Sequence, residues 1–562
     1  MTGGQGRERT VLGNVQVPLR QWGKAVLGPR VTHALRQWEG DFRRAVRRHR
    51  LGDRSSMSYD RALEWAKRHS GLGGGISQTS RRRAPYPEVT GYFIPTLLDF
   101  GERALALRHA RWLAAQARSD GAILGPDGCP YTFDTAQALR GFLAACPDDP
   151  SLQSATIAAA DFVASRIGGD GTIDPCTRDT YLWSNGHGLP PGYLLYALPP
   201  LLEASRVFGR ADWGRAVERV LAAVRHDPVV LDAGQLSHFY AYALDALIDL
   251  GEAERVRRAV TRLFESMRPD GSLPAYPGVS WTCSPGSIQF AVIAYKLGMW
   301  QSAEQLYRWA ERVQEAGGGF LGSYGSGAEY SGDEEVSWAV KYFLDATLWR
   351  VKTSFNAETA LHPEVVEPSD PRLVILLARL GEVGSSRVLD LGCGKGRFGK
   401  QLLFQHPGCA LTGVDASEEM LRGVAGAFPA QRASILRLPF EPDSFHAAYA
   451  VESFEHVLNL EGAFREVHRC LKPGGRLVVI DKNVSSLGIL DLAPWEKWFD
   501  PARLLEMAEC AGFATVEAKN FELAPGNDSP TFFAASFEKR AAARNGQDAT
   551  GPGPRAGLLA QQ

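Results

Sequence analysis

The chain has 562 residues, more than one hydrophobic core can organise, so two or three domains are expected. Sixty-two lysines and arginines against 63 acids leave a net charge of −1, which removes the electrostatic ground for a nucleic-acid partner. The 8 cysteines stand singly with no C-x-x-C pair, which excludes a zinc ribbon or dithiol redox motif and suits a reducing compartment.

No run approaches the ~18 apolar residues of a membrane span, and the amino terminus lacks the apolar core of a signal peptide. A soluble, cytoplasmic protein is expected. Residues 1–55 read as a basic extension, with Arg43, Arg44, Arg47, Arg48 and Arg50 close together. Within it Leu35, Trp38, Phe42 and Val46 recur at helical spacing and predict one amphipathic helix. That helix would dock on the next domain or make peripheral contact with an anionic membrane surface.

Residues 56–350 repeat with a loose period of roughly 50 residues, long for tetratricopeptide units and near that of HEAT-like pairs. Each unit has an amphipathic helix, a turn, a variable loop and a more apolar second helix. The turns are Gly74-Gly75, Asp120-Gly121, Asp170-Gly171, Asp227-Pro228, Asp270-Gly271 and Gly318-Gly319. The second helices are expected to open near Thr90, Asp134, Gly188, Ser237, Gly286 and Glu334. Long aromatic loops between helices are unusual in an open solenoid, whereas a closed ring would gather them at one mouth. The reading is an all-α (α/α)6 toroid.

Tyr86, Glu88, Tyr92, Tyr131, Asp134, Asp179, Tyr181, Trp183, His187, His238, Tyr240, Trp281, Glu329 and Tyr330 lie around those loops and helix starts. Aromatic faces mixed with carboxylates suit a saccharide, although each residue alone also fits hydrogen bonding near a helix start. His187, in the run WSNGHGLP, is the leading candidate for proton transfer here. The region resembles the toroids of glycoside hydrolases, lyases and glucuronyl epimerases. YPEVTGYFIPTLLDFG, Tyr86 to Gly101, is similar to toroid proteins of bacterial surface-polysaccharide biosynthesis. QARSDG, Gln116 to Gly121, resembles terpene cyclases, whose acidic protonating motif is not found.

Residues 351–386 read as a proline-interrupted linker with a short cap helix, VILLARLG, Val374 to Gly381. Then VLDLGCGKGRFG, Val388 to Gly399, ends an apolar run on Asp390 and follows it with four glycines. This is the pattern of a buried parallel strand turning into a helix. Nineteen residues past Gly396, ALTGVDAS ends a second strand on Asp415, placed to hold ribose hydroxyls. Gly394, Gly396 and Gly399 also satisfy the dinucleotide fingerprint. Charge favours another ligand, because a pyrophosphate is ill served by Asp390 whereas a sulfonium and an ammonium tolerate it.

With LRLPFEPDSFHAAYAVESFEHV, Leu436 to Val457, and LKPGGRLVVID, Leu471 to Asp481, the segment resembles class I S-adenosylmethionine-dependent methyltransferases of the type 11 group. The resemblance implies a Rossmann-like α/β domain over 387–540 with a seven-stranded, mostly parallel sheet. It places S-adenosylmethionine on Asp390, Gly392, Gly394, Gly396, Asp415 and Ala416, with Ser434 where relatives keep an adenine-facing Asp and Glu452 after the fourth strand. His446 also departs from the pattern, which has Asp after Ser-Phe. His456 has a suitable ordinary pKa to accept a hydroxyl proton, or it packs the next helix. Trp495, Trp498 and Phe499 form an acceptor wall or core. Residues 541–562 read as a disordered tail.

The function expected is methylation of a saccharide-containing acceptor (a glycan, lipid-linked sugar or nucleotide sugar) held by the toroid. A toroid that itself epimerises or cleaves a sugar, a methyltransferase for a terpenoid or other natural product, and a binding module with a vestigial methyltransferase fold are the alternatives. The intact Asp390, glycines and Asp415 argue against the last.

Overall fold

A computed structural model describes residues 57–176, 191–225, 227, 231–357, 359–484, 493–498, 500–523 and 531–540. The basic extension, the tail, and Asp179, Tyr181, Trp183, His187, Gly188 and Phe499 lie outside the described residues.

The amino-terminal half is helical. Its helices are α1 (Ser58–Arg68), α2 (Pro87–Asp99), α3 (Arg103–Gln116), α4 (Thr132–Ala145), α5 (Gln153–Ser165) and α6 (Leu198–Phe208, preceded by a 3-10 helix, Pro191–Ala197). There follow α7 (Ala211–Val224), α8 (Ser237–Asp249), α9 (Ala253–Phe264), α10 (Ser284–Lys296), α11 (Trp300–Val313) and α12 (Ser337–Ala357). Two-residue strands β1 (Thr282–Cys283) and β2 (Ser323–Tyr324) pair between them.

Helix burial follows the sequence. In α8 nearly every residue from Ser237 to Leu247 is buried, whereas α9 buries only Val256 and Val260 among charged neighbours. The apolar helices α2, α4, α6, α8, α10 and α12 each pack on the next, and α12 returns onto α2. Thr96 of α2 donates to Asp345 of α12 at 2.7 Å. The amphipathic helices lie outside, and Gly318 shows why the turns need glycine. Its φ is +91°, and a Cβ there would sit 2.0 Å from the Arg61 carbonyl of α1. The expected helix starts at Thr90, Asp134, Ser237, Gly286 and Glu334 fall within three residues of the observed ones. The last helix, however, runs to Ala357, past the 350 at which the linker was expected to begin.

The carboxy-terminal half is α/β. After α13 (Pro371–Leu380) come β3 (Arg387–Leu391), α14 (Arg397–Gln405), β4 (Ala410–Asp415), α15 (Glu418–Leu421) and β5 (Ala430–Arg432). The chain continues with β6 (Phe445–Val451), α16 (Leu460–Cys470), β7 (Leu471–Lys482), α17 (Pro501–Cys510), β8 (Phe513–Phe521) and β9 (Phe532–Lys539). The seven-stranded sheet has the order β5-β4-β3-β6-β7-β9-β8. It is parallel except for β9, which runs against both neighbours. Helices α13 and α14 supply Leu376 and Leu402 to the apolar layer on one face, and α16 and α17 supply Phe464 and Leu504 to the other. The short α15 stops at Leu421 before a single 3-10 turn, Arg422–Val424, and β5 follows.

The halves are joined by specific contacts. Asn459 donates to the Phe100 carbonyl at 2.7 Å, Lys497 pairs with Asp60 at 2.6 Å, and Tyr59 donates to the Trp495 carbonyl at 3.1 Å. Leu458 and Trp495 belong to the apolar core of the helical half. Arg437 donates to the Ala144 carbonyl at 2.6 Å. Among the described residues no helix is long and apolar enough to cross a membrane.

Candidate active site

The carboxyl ends of β3, β4, β6 and β7 converge where open parallel sheets bind ligands. Asp390, next to last in β3, is buried, and Tyr449 of the adjacent β6 donates to its Oδ2 at 2.7 Å. Burial pushes this carboxyl up to about 7. The Tyr449 hydrogen bond opposes the shift and the Asp415 charge adds to it. A cationic neighbour would bring Asp390 back toward its ionised form.

The chain then turns over Gly392, Gly394 and Gly396, all with positive φ. At Gly392 a Cβ would meet the Ser453 Cβ at 2.5 Å, so this glycine serves close packing. Gly396 begins α14 against the Phe428 ring, 3.1 Å from a would-be Cβ. Gly394 differs: a Cβ there would have no neighbour within 4 Å among the described residues. This is the bare backbone over which a ligand can lie. Asp415 Oδ2 accepts from the Gly394 N–H at 2.9 Å and its Oδ1 from the Ser417 N–H at 2.8 Å. One carboxylate thus fixes both the glycine turn and the tip of β4, beside Ala416. Burial raises its pKa while these backbone bonds lower it.

Glu452 has φ +53°, a left-handed backbone uncommon outside glycine and typical of functional turns. Its Oε2 accepts from Arg372 of α13 at 2.5 Å and from Arg397 of α14 at 2.6 Å. Asp370 grips Arg372 through two further bonds, 2.7 and 3.0 Å. Glu452 thus serves to aim two guanidinium groups at the ligand end of the sheet. The motif reading missed both arginines, and Tyr449 and Ser453 too. Arg397 and Tyr449 sit inside the quoted motifs, but their side-chain partners are distant in sequence.

The two departures from the family pattern, Ser434 and His446, each find a local partner, and nearby Arg437 reaches away into the helical half. His446 lies at the opposite end of the sheet, where its Nδ1 accepts from the Arg387 N–H at 3.0 Å and its Nε2 is 2.8 Å from Lys472 Nζ. Ser434 uses its hydroxyl to accept from the Leu436 N–H at 3.2 Å, holding the turn after β5.

His456 closes the 3-10 turn after β6, between two acids. Its Nε2 is 3.4 Å from Glu455 Oε1 and its Nδ1 3.8 Å from Glu496 Oε1. Burial pulls its pKa down to about 4, against the pull of Glu455, so it is neutral near pH 7 and a weaker base than an ordinary histidine. Phe355 of α12 packs edge-on to it at 4.8 Å. Trp495 and Trp498 are buried packing residues, and Trp498 donates to Glu496 Oε2 at 3.0 Å.

Residues 389–479 match a family described as a methyltransferase domain. That segment is similar to methyltransferase domains. Its cofactor is S-adenosylmethionine, which the open Gly394 turn between two carboxylates fits. The chain is 34% identical over 113 residues to the O-methyltransferase resE of Aspergillus sclerotiorum, covering 18% of this chain and 42% of that protein. It is 32% identical over 109 residues to the sterol 24-C-methyltransferase erg6 of Schizosaccharomyces pombe, covering 18% and 29%. The chain thus spans less than half the length of these two relatives. Among solved structures, an S-adenosylmethionine-dependent methyltransferase from Mesorhizobium loti aligns over 30% of this chain and 96% of its own, at 24% identity and TM-score 0.26.

Proposed function

We propose that this protein is an S-adenosylmethionine-dependent methyltransferase that methylates a hydroxyl of a saccharide-containing acceptor in the cytoplasm. The observation that carries the methyl-transfer reading is the open backbone at Gly394, flanked by Asp390 and by Asp415, which holds the Gly394 N–H. Asp390 would face the cofactor ammonium, Asp415 its ribose hydroxyls, and Arg372 and Arg397 its carboxylate. Gly392, Gly396, Ala416 and Ser434 shape the groove. The cofactor supplies the electrophilic methyl group. The chain's own work is to align an acceptor oxygen with it and take up the proton, a task for neutral His456 and its acid neighbours. Relatives named as O-methyltransferases favour oxygen as the atom methylated.

The saccharide reading rests on the helical half, which we read as an (α/α)6 toroid because α12 packs back on α2 and Gly318 on α1. Its interior gathers Tyr92, Asp134, Gln137, His238 and Trp338, each with a buried polar atom lacking a hydrogen-bond partner among the described residues. Donors and acceptors left open beside the rings of Tyr242 and Tyr342 suit a polyhydroxylated ligand. The basic extension would add peripheral contact with a membrane carrying a lipid-linked acceptor.

A second reading, in which the toroid is also a sugar epimerase or lyase, draws on Glu88 and Asp134. Both carboxyls are pushed up, Asp134 to about 7, by burial and acidic neighbours. Transfer of labelled methyl from S-adenosylmethionine, screened across extracted saccharides, glycolipids and terpenoids, tests the main reading. Label confined to terpenoids would move the acceptor class, and absence of cofactor binding by calorimetry would end the assignment. Deuterium entering a uronic acid from solvent would favour the second reading.

A further inference from the structure

Beside the cofactor groove lies a second cluster of charged groups. Glu455, His456 and Glu496 each bring one ligand-capable atom to within 4.8 Å of the others. Both glutamates are almost wholly buried. Asp481, at the end of β7, is also buried and is taken up by the backbone, accepting from the Glu455 N–H at 3.1 Å and the Lys482 N–H at 3.1 Å. Lys482 is a cation in contact with the cluster. Its Nζ lies 2.7 Å from Glu455 Oε1 and 3.4 Å from Glu496 Oε1. Three buried carboxyl groups thus gather around one ammonium in a dry place, where a further cation would be stabilised.

The hydrogen-bond pattern points the same way. Glu455 Oε2 and His456 Nδ1 are buried and have no partner among the described residues. Glu455 is 2% exposed, so water does not satisfy it from outside. Buried oxygens and ring nitrogens without partners are rare in folded proteins unless an ion or ligand takes them. Glu496 is held from behind by Trp498, as metal-binding carboxylates commonly are.

We propose that Glu455, His456 and Glu496 bind one divalent transition-metal ion of the Mn2+ or Zn2+ kind, with Lys482 as the competing internal cation. Two carboxylates and one imidazole suit these ions better than Ca2+, which takes six or more oxygens. Three protein ligands would leave coordination positions open for an acceptor or water. A further step rests on the methyltransferase reading. A metal held there would ease loss of the proton from an acceptor hydroxyl, with His456 then a ligand in place of a base, and the acceptor oxygen would take the methyl from the sulfonium. The O–C bond forms as the C–S bond breaks, leaving neutral S-adenosylhomocysteine.

The test is Mn2+ titration of the full chain followed by electron paramagnetic resonance, with S-adenosylmethionine binding measured in parallel by calorimetry. One Mn2+ per chain is expected. Glu455→Gln and Glu496→Gln should each weaken it at least tenfold while cofactor binding holds, and Lys482→Met should tighten it severalfold. A wild-type chain that binds cofactor but no stoichiometric Mn2+ overturns the proposal, as does equal Mn2+ affinity in wild type and both glutamine variants. If Lys482→Met loses Mn2+ while still binding cofactor, the lysine is no competitor and the proposal also falls. Mn2+ bound as expected with no cofactor binding leaves the metal site standing and removes the methyltransferase reading instead.

Discussion

Two buried polar regions of this chain are built on opposite plans. At the ligand end of the sheet, carboxylates stand beside open glycine backbone and each is held by a named partner: Tyr449 on Asp390, Gly394 and Ser417 on Asp415, Arg372 and Arg397 on Glu452. Inside the helical half, Tyr92, Asp134, Gln137 and His238 are just as buried but keep atoms without partners among the described residues. The first region is rigid before any ligand arrives. The second has its polar capacity left open, and its stability should therefore answer to pH and to ligand more steeply.

The sharpest way to break this contrast is to fill the open backbone. Gly394→Leu puts a side chain where a Cβ has free space, at a φ of +52°. The left-handed backbone costs about 1–2 kcal/mol, so the protein should fold with a midpoint lowered by only a few degrees. Cofactor affinity by calorimetry should fall at least 100-fold. A leucine variant that binds S-adenosylmethionine normally would show that the ligand does not lie on this turn.

A smaller effect follows from Asp390, whose carboxyl is raised to about 7 chiefly by burial. In the free protein it is mostly protonated below pH 7, whereas a cofactor ammonium beside it favours the ionised form. Binding below pH 7 must then release a proton. Affinity should fall about tenfold from pH 8 to pH 6, and calorimetry in buffers of different ionisation enthalpy should detect the released proton. Asp390→Asn should bind more weakly and show no such slope.

The helical interior supplies the opposite control. Asp134 is raised to about 7, first by burial and then by Asp127, so its folded-state pKa lies above its unfolded value. The stability it contributes is present below pH 4 and is lost as pH rises to 7. Wild type should melt about 5 °C lower at pH 8 than at pH 5 on this account, and Asp134→Asn should flatten that difference without changing cofactor affinity. A variant that keeps the full slope would place the titrating group elsewhere in the helical half.

These regions also differ in how far the sequence discloses them. The cofactor turn is contiguous: Asp390, three glycines and, nineteen residues on, Asp415 fall at spacings that a strand–turn–helix imposes locally. Strand β6 is legible because Phe445 to Val451 is an apolar run broken only by His446. The start of β7 is hidden in the sequence because Pro473 and two glycines read as a turn, although Leu471 pairs with Phe445 across a bulge. Helix periodicity gave the paired helices but no side-chain distances, so the meeting of Tyr92, His238 and Tyr342 from three separate helices was out of reach. Glu496 was likewise invisible, since nothing local marks an acid forty residues after His456 as its neighbour.

The joint between the two halves is the last point at which their contrast can be tested, and the effect there is the smallest. Arg437 spans it, donating to the Ala144 carbonyl at 2.6 Å near the end of α4 and lying 3.4 Å from Asp148. Arg437→Ala removes one charged donor from a half-buried carbonyl, a loss of about 1 kcal/mol. Because Asn459, Lys497 and Tyr59 bridge the same joint, the halves should stay docked and calorimetry should still show one unfolding transition, lowered by a few degrees. Adding Lys497→Met removes the second charged bridge, to Asp60, and should begin to separate the transition into two. If the double variant still melts as one unit, the cohesion lies in Leu458 and Trp495, which the sheet half inserts into the helical core. In that event the two plans belong to a single folding unit.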